Sequence, residues 1–215
     1  MSTLKAPGPN GVPMLFYKKY WAIVGNNVIK AVLNFFQEGR LLHEVDNFII
    51  VLIPKVPNPI SVNHFRPISL CNLVYKAIAK ILVARIRPLL HKLISPCQSA
   101  FISRRWIAEN GVIVHEMLHS FKKRKVKNGL MAIKLDLQKA YDRVNWNFLQ
   151  AVLRNFGFND IFVGWIMECV TSVSYALLIN GGKTESFIPS RGFRQGDPLS
   201  HYLFILSQDI ISRII

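Results

Sequence analysis

With 215 residues, of which 51% are hydrophobic, the chain is long enough for one sizeable core or two small ones, and a disordered polypeptide is excluded. Its formal charge is +15, and residues 71–127 hold 12 Lys or Arg against Glu109 and Glu116 alone. The last 88 residues carry 8 bases and 7 acids, so one surface is expected to meet a polyanion, nucleic acid first, while the other surrounds a site of acidic chemistry.

No apolar run approaches the ~20 residues that span a bilayer. MSTLKAPGPNGVP at the start lacks the apolar core of a signal peptide, so an intracellular chain with no membrane partner is expected. Cys71, Cys97 and Cys169 form no CxxC. They read as reduced, buried thiols, with no zinc site.

In chain order, APGPNGVP at 6–13 is a rigid loop that delivers a helix at about Pro13. Trp21, Val24, Val28, Val32 and Phe35 repeat at helical spacing until Gly39 stops the pattern. Residues 46–54 read as a strand. KVPNPISVNHFRP then reads as a proline-broken loop whose Lys55 and Arg66 suit phosphate oxygens, one as a mobile point charge and the other as a rigid fork. A solvated loop is the plainer alternative.

Ser69 to Leu93 reads as an amphipathic helix with Leu73, Ile78, Ile81 and Leu82 on one side and a kink at Pro88. QSAFISRRWIAEN mixes Phe101 and Trp106 with Arg104 and Arg105, as a nucleic-acid groove does. The same aromatics could equally be core anchors. A helix from about Ile107 to Phe121 runs into KKRKVK at 122–127, where Lys122, Lys123, Arg124 and Lys125 form a solvated loop, a phosphate contact or a nuclear-import signal.

Residues 130–136, following Asn128-Gly129, read as a buried strand that ends on Asp136. A carboxylate at the end of an apolar strand faces a cleft when it is functional, because burying it unpaired costs several kcal/mol. It could also simply turn the chain. Asn145 is expected to cap a helix that stops at Gly157, and Asp160 opens another. YALLINGGKTESFIP is a β-hairpin centred on Asn180-Gly181-Gly182. In RGFRQGDPLS, Gly192 and Gly196 permit close backbone approach to a ligand, Asp197 caps, and Leu199, Leu203, Leu206 and Ile210 of the last helix face inward.

Four stretches in order, APGPNGVP, VLIPK with FRPISLCN, AIKLDLQKAYDRV and RGFRQGDPLS, resemble the reverse-transcriptase domain of plant LINE-type non-LTR retrotransposons. The resemblance covers nearly the whole chain. It implies an α+β, right-hand polymerase fold, with helical fingers plus an incomplete ferredoxin-like palm. Residues 1–127 would be the fingers-like, template- and nucleotide-binding part, and 128–215 the partial palm.

Position by position, the resemblance makes Asp136 the first catalytic, Mg²⁺-binding carboxylate, with the Leu137 carbonyl completing that ligation. Tyr141 would lie under the sugar of the incoming nucleotide, Gln195 and Gly196 would contact the nucleotide, and Lys55 and Arg66 would hold its triphosphate. Asp142 reads as structural, capping or pairing with Arg143. The implied partners are an RNA template, an RNA–DNA duplex and deoxynucleoside triphosphates.

The chain departs from the family pattern at Asn10, usually Asp, at His201, usually Pro, and in FISRRW. Family members also carry a further hairpin with paired aspartates, FADD or YADD, and no Asp-Asp occurs here. The expectation is therefore a chain cut short of that motif and inactive alone, since one carboxylate cannot hold the two Mg²⁺ ions of the complete site. Leu203, Leu206 and Ile210 would then lose their cover. A non-catalytic basic RNA- or DNA-binding module is the alternative.

Overall fold

The computed structural model describes residues 6–123 and 129–214. One four-stranded sheet forms the centre: β1 (Asn47–Pro54), β2 (Phe65–Leu70), β3 (Ser174–Ile179) and β4 (Gly182–Lys183), in the order β2-β1-β3-β4. β1 pairs antiparallel with β2, with Val51 opposite Ile68, and parallel with β3, with Ile49 opposite Ala176. A parallel pair requires a long crossover. Here it is everything between residues 55 and 173, so the sheet takes two strands from each side of residue 127. The architecture is α+β, as the sequence implied.

Helices cover the sheet. α1 (Met14–Lys19) and α2 (Trp21–Glu38) lead into β1, and Gly39 ends α2 in the left-handed conformation. α3 (Leu73–Ile86) buries Tyr75, Ile78, Ala79, Leu82 and Ile86, and the chain breaks at Pro88 before the single turn α4 (Leu90–Leu93). α5 (Ile107–Lys123) follows, then the one-turn α6 (Ala140–Arg143), α7 (Trp146–Asn155), α8 (Asp160–Thr171) and α9 (Ser200–Ile214). The core gathers Phe35, Phe48, Tyr75, Leu149, Ile166 and Leu203 around an edge-on contact between Phe48 and Tyr75 at 4.9 Å. Asn180 and Gly181, both at positive φ, make the hairpin turn between β3 and β4. No helix among the described residues is long and apolar enough to cross a membrane.

Several expectations are corrected. The last three residues of the proline-broken loop, Phe65, Arg66 and Pro67, already belong to β2, and the helix expected from Ser69 starts at Leu73. β2 is an edge strand, where Pro67 can face away from the ladder without losing a hydrogen bond. Residues 130–136 form no strand, and Met131, Ile133 and Leu135 are 79, 70 and 64% exposed. An extended segment becomes a strand only with a ladder to join, and no described strand flanks this one. Leu203 and Leu206 keep their cover, fully buried where α9 packs on α7. Cys71 and Cys169 are buried thiols, but Cys97 is exposed. α5 buries none of its side chains.

Candidate functional site

Residues 136–145 form the first half of the site. Asn145 caps α7, its side-chain oxygen accepting from the N–H groups of Asn147 (2.8 Å) and Phe148 (3.2 Å), which fixes how the preceding turn enters. Ahead of that turn, Lys139 adopts a left-handed conformation. Asp136 and Leu137 stand on the lip of a cleft of about 540 Å³ that is walled by Val144, Phe148, Phe204 and Gln208. Asp136 is exposed. Tyr141 is half-buried and stacks on Phe204, with ring centroids 4.6 Å apart, while Phe193 meets its edge. Burial pushes the Tyr141 hydroxyl pKa up.

The second half lies on the β1–β2 hairpin. Lys55 follows β1. Its main-chain N–H donates to the His64 carbonyl at 2.7 Å and its ammonium to the Asn63 carbonyl at 3.1 Å. Arg66 is exposed on β2 opposite Ile53. At the other end of the same strand, the N–H of Ser69 donates to the Gln195 carbonyl at 2.8 Å. Gly196, at φ +100°, lies so close that a Cβ there would sit 3.2 Å from the Ser69 carbonyl oxygen.

One loop joins the halves. The N–H groups of Gly192 and Phe193 donate to the Val144 and Tyr141 carbonyls, both at 2.9 Å, and Trp146 Nε1 donates back to the Gly192 carbonyl at 2.9 Å. A Cβ on Gly192, itself at φ +88°, would lie 3.0 Å from both the Cα and the carbonyl oxygen of Asp142. The Arg191–Asp197 segment thus holds the turn bearing Tyr141 at one end and β2 at the other.

Beneath that loop is a buried network that the sequence did not disclose. The Arg194 guanidinium lies against the rings of Phe48 and Tyr75, 4.5 Å from each centroid, and donates to the Cys169 carbonyl. It pairs with Asp197 at 3.5 Å and Asp46 at 3.7 Å, all three side chains being buried. Asp197 also accepts from the Tyr75 hydroxyl at 2.9 Å and from the Leu199 N–H at 3.0 Å; because α9 starts at Ser200, this bond turns the chain ahead of the helix and is not the expected cap. Burial pushes the Asp46 carboxyl up to about 6 despite the Ser172 and Arg194 contacts that oppose the rise. The one available signal was a charged i, i+3 pair, Arg194 and Asp197, inside a motif flanked by apolar residues.

The other expected contacts divide. Arg104 is exposed at φ +66°. Arg105 is occupied instead by the carbonyls of Ser95 and Gln98, both at 2.6 Å, and by those of Ile94 and His91 at 3.2 and 3.4 Å. Phe101 and Trp106, 60 and 67% exposed, are not core anchors. Lys122 and Lys123 end α5, exposed, whereas Arg124 and Lys125 lie outside the described residues. No ion pair joins Asp142 to Arg143 among the described residues.

The two Mg²⁺ ions that the resemblance implied require several converging oxygen ligands. The residues present do not fit them: among the described residues no group of three or more carboxylate, imidazole or thiol side chains converges, and Asp136 has no second carboxylate beside it.

Comparison with known proteins agrees with the motifs. The family model described as reverse transcriptase (RNA-dependent DNA polymerase) matches residues 53–215. An uncharacterized protein of transposon TX1 from Xenopus laevis is 30% identical over 94% of this chain and 15% of its own length. A retrovirus-related Pol polyprotein from a type-2 retrotransposable element of Drosophila melanogaster is 28% identical over 99% of this chain and 20% of its own. The chain thus spans a fifth or less of these relatives. Among solved structures, apo telomerase from Candida tropicalis matches 79% of this chain and 39% of its own with a TM-score of 0.46 at 16% identity.

Proposed function

Because the chain belongs to the reverse transcriptase (RNA-dependent DNA polymerase) family, we propose that it is part of the RNA-directed DNA polymerase of a LINE-type non-LTR retrotransposon. In this reading residues 1–127 are the fingers-like part and 128–215 the partial palm. Asp136 and the Leu137 carbonyl would be one arm of a catalytic metal site whose other carboxylates are not among the described residues, and Tyr141, Gln195, Gly196, Lys55 and Arg66 would surround the incoming deoxynucleotide. The observation that carries it is the Gly192–Asp197 loop, hydrogen-bonded to the Tyr141 and Val144 carbonyls at one end and to Ser69 at the other. It fastens the two halves of the expected nucleotide site to each other.

Binding and orientation are what these side chains supply. Tyr141 is held by Phe204 and Phe193, so a ring placed under a sugar would be rigid enough to exclude a 2′-hydroxyl sterically. Lys55 and Arg66 offer donors to phosphate oxygens. Template RNA and RNA–DNA duplex would meet the exposed cations Arg104, Lys122 and Lys123, with Arg105 supporting the loop behind them. The run at 122–127 also keeps open a nuclear location.

Primer extension on an RNA template with Mg²⁺ and deoxynucleotides tests this. The chain alone gives no product. Fused to a hairpin carrying paired aspartates it gives product, which Asp136→Asn abolishes and for which Tyr141→Ala relaxes discrimination against ribonucleotides. Activity indifferent to Asp136→Asn would refute the assignment. A second reading, a non-catalytic RNA- or DNA-binding module, rests on the exposure of Asp136 without a second carboxylate. It requires RNA binding that survives Asp136→Ala and no activity from any fusion.

A further inference from the structure

α5 carries His115-Glu116-Met117-Leu118-His119. Residues four apart on a helix share a face, with Cβ atoms about 5–6 Å apart, close enough for two imidazoles to reach one ion. Both histidines are exposed. With Glu116 they line one shallow hollow that also includes Val112, Ser120 and Lys123. Apart from Lys123, an expected nucleic-acid contact, none of these residues belongs to the site described above.

We propose that His115 and His119 of α5 form a binding site for a borderline divalent transition-metal ion of the Zn²⁺ or Ni²⁺ class. Imidazole suits these ions, whereas Mg²⁺ requires oxygen ligands. The spacing is that of the H-E-x-x-H helices of zinc peptidases, but such centres hold the ion with three protein ligands. Here no third His, Cys, Asp or Glu converges among the described residues, so water completes the coordination and peptide hydrolysis is not part of the proposal.

Charge tunes the affinity. Lys123 lies one turn beyond His119 in the same hollow, and the chain carries a formal charge of +15. Both repel a cation, so binding is moderate and strengthens as salt screens the repulsion. Nucleic-acid binding changes with salt in the opposite direction.

The experiment uses the untagged, chelator-stripped chain with Cys97→Ser, which removes the exposed thiol, titrated calorimetrically with ZnCl₂ and then NiCl₂. One ion per chain is expected. His115→Ala and His119→Ala should each weaken it by about tenfold or more, while His91→Ala leaves it unchanged. Circular dichroism verifies that each variant keeps its helix content, since both histidines are exposed. No saturable uptake at millimolar ion, or uptake unaltered in the His115→Ala, His119→Ala double variant, would overturn the proposal.

Discussion

Arg194 is a buried arginine, 4% exposed, held on every side by named partners. Its charge is enclosed by Phe48, Tyr75, Asp46 and Asp197. Removing one partner of a buried ion network leaves the others uncompensated, which costs about 3–5 kcal/mol. Arg194→Met should lower the unfolding free energy by that amount in urea denaturation, with Asp46 and Asp197 left facing each other's field. Asp46 gives a pH signature. Its folded pKa of about 6 lies above the ordinary 3.8, so the folded state retains a proton that the unfolded chain has already released. Stability from this group is present at low pH and falls as pH rises from about 4 through 6, by on the order of 1 kcal/mol per unit. The wild type should therefore lose stability relative to Asp46→Asn across that interval. A difference that stays flat with pH would contradict the placement of Asp46. None of this was legible in the sequence, because a buried arginine and a surface arginine are spelled alike until residues 46, 75 and 194 are seen together. Asp197 was read as a cap, but α9 starts only at Ser200, so its side chain turns the chain ahead of the helix, and its bond to Tyr75 spans 122 positions.

At the scale of elements, local periodicity carried the reading where a segment's partners lie close along the chain. α2, α3, α7, α8 and the β3–β4 turn follow from helical spacing, from the cap at Asn145, from Asp160 at the start of α8, and from Asn180-Gly181. Period-two alternation misled at 130–136, since alternation describes a strand only if a neighbour accepts its hydrogen bonds. The consequence is measurable. Met131→Ser, at an exposed position, should change stability by no more than about 0.5 kcal/mol, whereas Leu203→Ala in α9 should cost about 2–5 kcal/mol. Gly192→Ala, forced into φ +88° against Asp142, should cost roughly 1–3 kcal/mol and loosen the joint between Tyr141 and β2. Hydrogen exchange should find α5, with no buried residue, far less protected than α7 or α9. Equal protection would mean that something covers α5 in solution.

For the molecule as a whole, composition alone announced a polyanion partner, and the exposed ends of Arg104, Lys122 and Lys123 keep that expectation open. Binding to RNA or RNA–DNA duplex should be independent of sequence and fall steeply with salt as displaced counterions cease to favour it. Lys122→Ala with Lys123→Ala should flatten the slope of log affinity against log salt by nearly two units. A salt-insensitive complex would mean that the charge is not the contact.

The parallel pairing of β1 with β3 also sets an order of events during synthesis. Ser174 and Asn47, which meet at the start of that ladder, are 127 positions apart. At about 5–20 residues per second, the ribosome needs roughly 6–25 s between making one strand and making the other. Through that interval β1, NFIIVLIP, has β2 on one side and nothing on the other. An apolar strand with an open edge is a template for another chain. The vulnerable species of this protein is therefore the half-made one, and chaperone dependence should be greatest before residue 174 emerges.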